Sequence, residues 1–205
     1  MNREAALRCR CGEVEGRVAN ASPRTVNRVV CYCDDCQAFL HHLKRTDLLD
    51  ANAGSDIIQV APNTLSFDRG ADRIACVRLG PKGLFRFYAE CCKTPVGNTV
   101  GPAIPFVGIH AKTFVSADED CGAPVGGFMG KFAIGTPIEG SDGLNLKVIG
   151  RALRMVAGWK LGGKTWPHPF FTKGTKEPHR PTTVIPKTER DTLRTLCGPT
   201  PTAAA

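Results

Sequence analysis

The sequence predicts a mainly β fold followed by a helical extension at its C-terminal end. Over residues 1–110, short segments alternate apolar and polar side chains with a period of two, which is typical of half-buried strands. Cysteine clusters stand where such segments begin or end, and apolar residues recur at helical spacing after residue 145. The chain has 205 residues, of which 42% are hydrophobic, so it can bury one core.

The predicted elements follow one another with turn residues between them. Residues 13–19 and 25–31 are the first two strands, and a short helix is predicted over residues 37–44. Further strands are predicted at residues 57–61, 64–67, 74–79, 84–88 and 105–109, with turn chemistry at 95–102 and a solvated acidic loop at 116–120.

The central cysteine cluster, C-x-C-x-x-C, consists of Cys31, Cys33 and Cys36. Thiolate is a strong ligand for Zn²⁺, and three sulfurs this close along the chain can bind one ion and leave its fourth tetrahedral position open. The alternative is that they are buried, inert thiols, which fits one cysteine better than three within six residues. His41 and His42 follow, and either could be a fourth ligand or a general base, although a solvated pair at a helix end is more common.

Seven further cysteines support metal binding in a reducing compartment. The N-terminal residues lack the apolar stretch of a signal peptide, and the cysteine content is below that of a small disulfide-bonded secreted domain, so we expect a cytoplasmic protein. In such a setting clustered cysteines indicate metal binding or catalysis. The seven are Cys9 and Cys11, the adjacent pair Cys91 and Cys92, and the scattered Cys76, Cys121 and Cys197.

Three clusters in this order resemble the glutathione-dependent formaldehyde-activating enzyme family, which also includes centromere protein V. The resemblance covers residues 7–110 and rests on Cys9-x-Cys11-Gly12, on the central cluster, and on an aromatic strand that ends in Cys92-Lys93-Thr94-Pro95. It implies a β-tent of folded antiparallel sheets held by cysteine-ligated zinc. It also implies a structural zinc at Cys9, Cys11 and Cys92, and a catalytic zinc at Cys31, Cys33 and Cys36.

The last cluster departs from the family pattern, C-x-x-C-Gly-(Thr/Ser)-Pro. Ala89 stands where that pattern has its first cysteine, and Lys93 stands in place of the glycine. Cys91 could replace the missing ligand, although neighbouring side chains on extended backbone point to opposite faces. Alternatively, Cys91 could point away and become the fourth ligand of the central cluster, which would make that site closed and structural. A third possibility is a single zinc per chain.

The resemblance implies a carbon–sulfur lyase that forms or cleaves thiol adducts such as S-hydroxymethylglutathione, with Cys31, Cys33 and Cys36 at the catalytic zinc. We expect one or two Zn²⁺ per chain, and a small thiol such as glutathione is a possible partner. Arg28, Arg86 or Lys93 could pair with its carboxylates, although an ordinary solvated charge is the commoner role for each. The alternative function is a non-catalytic zinc-binding module whose basic C-terminal segment engages nucleic acid, protein or a membrane surface.

The positive charge is concentrated near the C-terminus. The net charge is +8, and residues 151–205 contain 10 Lys and Arg against 3 Asp and Glu. Residues 146–160 predict a basic amphipathic helix that packs Leu146, Ile149, Leu153 and Val156 on the sheet and shows its charges to water. Nucleic acid is an unlikely partner, because aromatic residues are not interleaved with the basic ones and no reading helix is recognisable. No apolar run approaches the ~18 residues that a membrane span needs.

We therefore expect three parts. Residues 1–120 form the zinc-binding β domain that resembles the formaldehyde-activating enzymes, residues 121–145 a Gly/Pro-rich connection, and residues 146–205 a basic helical extension and tail. The oligomeric state does not follow from the sequence.

Overall fold

A computed structural model of the chain describes residues 4–141 and 145–199, which form two β-sheets and four α-helices. The strands are β1 (Glu4–Arg8), β2 (Glu15–Ala19), β3 (Asn27–Cys31), β4 (Ser55–Val60), β5 (Leu65–Arg69), β6 (Ile74–Arg78), β7 (Phe85–Ala89), β8 (Pro95–Thr99), β9 (Val107–His110), β10 (Gly127–Phe128) and β11 (Thr182–Val184). The helices are α1 (Asp34–His42), α2 (Ala117–Cys121), α3 (Leu146–Leu161) and α4 (Lys187–Thr195).

The sheets are mainly antiparallel. The smaller sheet has the order β1-β2-β5, and the larger one has the order β10-β3-β4-β9-β8-β7-β6-β11. The two outer strands of the larger sheet, β10 and β11, pair in parallel with β3 and β6, and the remaining neighbours are antiparallel. The fold is therefore mainly β, with one antiparallel and one mixed sheet and a few helices.

The main hydrophobic core contains residues from both sheets. Leu7 and Val18 come from the smaller sheet, and Ile58 and Phe87 from the larger one. The predicted strands at residues 13–19, 25–31, 57–61, 64–67, 74–79, 84–88 and 105–109 correspond to β2, β3, β4, β5, β6, β7 and β9. In β2, alternation reflects one buried and one exposed face, whereas β3 and β9 are buried on both faces.

The prediction of turn chemistry at residues 95–102 is wrong for its first half, where β8 lies between β7 and β9. Gly97 weakens a strand signal, but here the absence of a side chain is required by packing. A Cβ on Gly97 would lie 2.7 Å from the ring of Phe170. Phe170 in turn stacks on Phe87 of β7, with ring centroids 3.8 Å apart. The reason for glycine at this position could not be recognised from the sequence, because Phe170 lies more than 70 residues further along the chain.

The C-terminal segment contributes to the body of the protein. Phe170 and Phe171 are buried in the main core, and β11 adds a strand to the edge of the larger sheet. Ile185 and Cys197 pack with Phe39 of α1 in a second cluster. The boundaries at residues 120 and 145 stay a prediction, but the segment after residue 145 shares cores with the segment before it.

The predicted orientation of the basic helix is wrong. The helix α3 covers the predicted range, but it buries Val148 and Trp159, while Leu146 and Leu153 are exposed. Arg151 is on the packed side, where its guanidinium donates hydrogen bonds to Asn27 Oδ1 at 3.1 Å and to backbone carbonyls of residues 23 and 26. The hydrogen bonds of Arg151 to these acceptors set the rotation of α3 about its axis. Apolar periodicity alone does not predict that rotation.

The length and hydropathy of a helix decide whether it can cross a membrane. Among residues 4–141 and 145–199, no helix combines the length and the apolar character that crossing a bilayer requires.

Candidate metal centres

The central group brings together the sulfurs of Cys31, Cys33 and Cys36, at the point where β3 gives way to α1. Cys31 is the last residue of β3, Cys33 caps the N-terminus of α1, and Cys36 lies in the first turn. The Sγ of Cys31 is 3.3 Å from that of Cys33 and 3.7 Å from that of Cys36. Sulfurs bound to one tetrahedral zinc at ~2.3 Å lie ~3.8 Å apart, so the three thiols could hold a metal ion.

The three thiols of this group differ in how readily they ionise: the pKa of Cys31 is raised, chiefly by its hydrogen bond with Cys33, and the pKa of Cys33 is also raised, whereas that of Cys36 is lowered. The N–H of Cys36 donates to Cys33 Sγ at 3.3 Å, as expected at a helix N-terminus. Hydrogen bonding with Cys31 and Cys33, together with the charge of Arg86, holds the pKa of Cys36 well below its usual range. Burial by itself would lower the pKa of Arg86, but the nearby Cys36 and Cys33 sulfurs outweigh burial and raise it.

Arg86 is a buried cation, 2% exposed, whose guanidinium lies 5.2 Å from the ring of Phe39. Within residues 4–141 and 145–199 it forms no salt bridge with a carboxylate. A buried charge is expensive unless an opposite charge lies beside it. The cysteine group, together with the nearby Asp35, therefore balances the charge of Arg86.

A cleft of about 180 Å³ lies beside the central group. Its lining includes Cys31, Cys33 and Cys36, the polar side chains of Arg86 and Asn98, and several apolar side chains. A small inner cavity of about 20 Å³ shares Cys36, Arg86 and Asn98 with the cleft and is also lined by Ser55 and His110. A cavity of that size accommodates about one water molecule or one substrate oxygen.

The inner cavity is lined by hydrogen-bond donors. His110 Nδ1 accepts from the Lys112 N–H at 3.2 Å, so the neutral ring carries its proton on Nε2. Burial lowers the pKa of His110 to about 4, which keeps the ring neutral near pH 7. Within the described part of the chain, His110 Nε2 and Ser55 Oγ have no hydrogen-bond partner. Both residues line the inner cavity, and donors there suit an acceptor, such as a carbonyl or oxyanion oxygen.

The outer group brings together Cys9, Cys11, Cys91 and Cys92. The Sγ of Cys9 is 3.5 Å from that of Cys11 and 3.9 Å from that of Cys91, and Cys11 and Cys91 are 3.2 Å apart. Four thiols at these distances could complete a tetrahedral metal site without any other ligand, which is the form of structural zinc sites.

The placement of Cys91 decides between two of the three alternatives left open by the sequence, and the number of zinc ions per chain stays a prediction. Cys91 lies in the outer group with Cys92, so the alternative in which it completes the central group is wrong. Residues 90–92 form a turn rather than extended backbone, and the Lys93 N–H donates to the Ala89 carbonyl at 2.8 Å. The rule that neighbouring side chains point to opposite faces therefore does not apply, and Cys91 and Cys92 lie in the same group of thiols.

Other candidate residues have structural partners. His42 Nδ1 contacts Glu189 Oε1 at 3.0 Å, and neither His41 nor His42 belongs to a metal-binding group among the described residues. Arg28 is buried against Asp56 and Asp118, so it is not available for a thiol's carboxylates. Asp118 lies in α2, which replaces the predicted acidic loop. Cys76, Cys121 and Cys197 are buried outside both groups.

The sequence did not reveal the residues that surround the central group. Ser55, Asn98 and His110 come from β4, β8 and β9, and the pairing of Ile57 with His110 and of Asn98 with Gly108 brings them together. No spacing along the chain signals this arrangement. Arg86, interpreted as an ordinary solvated charge, is instead fully enclosed.

The fold and these two groups define a mainly β protein that could hold metal ions at one four-cysteine and one three-cysteine site. The chain belongs to the family of unknown function DUF6151, whose family model matches residues 1–179. The matched region contains all seven cysteines of the two groups. No curated protein matches the chain.

Proposed function

We propose that this protein is a cytoplasmic zinc protein with a structural zinc at Cys9, Cys11, Cys91 and Cys92 and an open zinc at Cys31, Cys33 and Cys36. We further propose that it is a carbon–sulfur lyase, which forms or cleaves thiol adducts such as S-hydroxymethylglutathione. The supporting observation is the three-cysteine group itself, which faces a cleft that also contains the buried Arg86. The order of the clusters on a mainly β fold supports a β-tent like that of the formaldehyde-activating enzymes.

A metal in the central group is compatible with the charge of Arg86. A divalent ion with three thiolates has a net charge of about −1, which Arg86 can neutralise. Without a metal, three thiols this close could ionise only at the expense of strong mutual repulsion. A soft, tetrahedral ion that prefers sulfur is the best match, and zinc has those properties.

The proposed reaction adds a thiol to a small carbonyl compound. A carbon–sulfur bond forms, the π-electron pair of the carbonyl moves to oxygen, and the proton of the thiol ends on that oxygen. The reverse reaction cleaves the adduct. A zinc ion bound in the open site would lower the pKa of the incoming thiol and act as a Lewis acid on the carbonyl oxygen.

The chain's own residues would position the reactants. The donors around the inner cavity, Ser55 Oγ, His110 Nε2 and the Asn98 amide, suit the carbonyl oxygen as it gains negative charge. Arg86 would stabilise the same charge and keep the cysteines ionised. Because the inner cavity has a volume of only about 20 Å³, the oxygen would enter it while the rest of the substrate stayed in the cleft.

Zinc per chain, measured on the wild type and on the variants Cys9→Ala and Cys33→Ala, tests this proposal. We expect two ions in the wild type and one in each variant. A chromogenic chelator should first remove the ion that Cys33→Ala lacks, because the three-cysteine site has an open position. Glutathione should slow that removal if it binds there as a thiolate.

Activity is measured separately, because the uncatalysed addition of thiols to formaldehyde needs a blank. The interconversion of glutathione and its hydroxymethyl adduct is followed by NMR, with Cys33→Ala as the matched protein blank. A rate above both blanks supports the lyase. Two bound zinc ions without a rate above the blanks would support a non-catalytic zinc-binding module. A single zinc that the chelator does not remove would overturn the two-site proposal.

A further inference from the structure

The outward side of α3 carries an apolar strip that nothing in the described structure covers. Leu146, Leu153 and Leu161 are 75%, 65% and 90% exposed. At ~100° per residue they lie within an arc of ~80°, so they form one strip along the helix, here called the leucine face. Ala157, which is also exposed, falls within the same arc. Three exposed leucines on one helix side exceed the isolated apolar residues that ordinary surfaces show.

The leucine face cannot turn inward. The opposite side of α3 is anchored by the buried Val148 and Trp159 and by the hydrogen bonds of Arg151 to Asn27 and to the carbonyl of Val26. Rotating the helix to bury the leucines would leave Arg151 and these acceptors without partners. The orientation therefore follows from satisfied polar groups, and the leucines remain in contact with water.

Cations border the leucine face, and acidic residues are absent from this stretch. Residues 145–176 contain seven Lys or Arg and no Asp or Glu. On α3, Lys147 and Arg154 lie on one flank of the strip and Lys160 on the other, and all three are exposed. Lys160 Nζ also donates to the Ala103 carbonyl at 2.8 Å, which holds a loop beside the end of the helix.

Charge complementarity distinguishes between the possible binding partners of the leucine face. A second copy of the chain would place the same cations against each other, which is unfavourable in a symmetric interface. Nucleic acid would satisfy the cations but leave the leucines without apolar contacts. An anionic bilayer satisfies both, because leucines enter the boundary between headgroups and acyl chains while Lys and Arg meet lipid phosphates.

We propose that α3 is a peripheral membrane-binding surface, with its leucine face inserted into an anionic lipid layer and its flanking cations paired with the headgroups. The helix lies in the plane of the interface and does not cross the bilayer. This proposal goes beyond the proposed lyase and does not depend on it, because neither metal group includes a residue of α3.

Vesicle binding of the full, metal-loaded chain tests the proposal. Unilamellar vesicles of phosphatidylcholine with ~30% phosphatidylserine are compared with phosphatidylcholine alone by co-sedimentation. We expect binding to the anionic vesicles that weakens as salt is raised. Leu153→Asn with Leu161→Asn should weaken binding by roughly 100-fold, since burying each leucine corresponds to more than a tenfold change in affinity.

Matched variants test whether binding depends on the leucine face itself or on exposed apolar side chains and positive charges elsewhere on the surface. Val115→Asn with Leu196→Asn removes two other exposed apolar side chains and should leave binding unchanged. Lys147→Gln with Arg154→Gln should weaken binding by roughly fivefold per charge, whereas Lys82→Gln with Lys112→Gln should have little effect. Circular dichroism and thermal denaturation confirm that each variant is folded.

Several outcomes would overturn the proposal. Equal binding to neutral and anionic vesicles, or no binding to either, contradicts it. So does an equal loss in the leucine variant and its apolar control. A wild-type dimer in light scattering that becomes a monomer in Leu153→Asn with Leu161→Asn would assign the leucine face to a second copy of the chain instead.

Discussion

At residue 93 the backbone enters the left-handed region, with a φ of 58°. The turn that this conformation closes, with the Lys93 N–H bound to the Ala89 carbonyl, places Cys91 and Cys92 in one group of thiols. Lys93 also lies over the ring of Tyr88, with its Nζ 5.1 Å from the centroid. A single backbone conformation thus decides which sulfurs meet at the outer site.

Replacing Lys93 tests this residue-scale account. Lys93→Gly and Lys93→Ala both lose the contact with Tyr88, so they differ only in the backbone. We expect Lys93→Gly to be more stable than Lys93→Ala by about 1 kcal/mol, because a left-handed conformation strains any residue with a Cβ. Urea denaturation of the two variants under the same conditions measures the difference. Equal stability of the two would show that the turn does not need this conformation.

Among the elements, β8 depends on a residue from the far end of the chain. It lies between β7 and β9, and at Gly97 the ring of Phe170 occupies the space that a side chain would fill. The same ring stacks on Phe87, which fixes the C-terminal aromatic segment against the larger sheet. Because β8 also supplies Asn98 to the cleft, its packing bears on the central site.

Two glycine substitutions test the role of this element. Gly97→Ala should destabilise the protein by about 2 kcal/mol, because a Cβ 2.7 Å from the Phe170 ring forces a closely packed region apart. The control is Gly150→Ala in α3, where nothing lies within 4 Å of the new Cβ. That change should instead stabilise by roughly 0.5–1 kcal/mol, since alanine favours helix over glycine. Thermal and urea denaturation measure both, and a neutral Gly97→Ala would contradict the packing account.

At the scale of the whole molecule, the segment after residue 145 joins the body of the protein at several places. Ile185, directly after β11, packs with Val77 of β6 and with Phe39 of α1, the helix that carries Cys36. Arg194 of α4 contacts Asp35 at 2.7 Å. Removing residues 146–205 would also remove core phenylalanines, so single substitutions probe this segment better than truncation.

Adjacent residues at the end of β11 provide a matched pair. Ile185 is 4% exposed and Val184 is 43% exposed. Ile185→Ala should lower the free energy of unfolding by about 3 kcal/mol in one cooperative transition, whereas Val184→Ala should change it by less than about 0.5 kcal/mol. Denaturation followed by circular dichroism is the measurement. A separate early transition in Ile185→Ala, with the main one unchanged, would support an independent C-terminal extension.

The sequence by itself determined the features whose signals are local. The sequence predicted the strands from β2 to β7, the range of α3 and the three cysteine clusters. Alternation, helical periodicity and ligand spacing are local signals, because each depends on a few neighbouring residues. The central group also forms as predicted from its spacing, since its three cysteines lie within six residues.

Only the tertiary structure decided the features that depend on distant partners. Cys91 joined the outer group because of the turn at Lys93 and the approach of Cys9 and Cys11, some 80 residues away. Sheet pairing brought Ser55, Asn98 and His110 to the central site, and α3 took its orientation from the acceptors of Arg151. The physical reason is the same in each case. Side chains are buried and hydrogen bonds are formed between segments distant in sequence, and the sequence of one segment does not identify its partner.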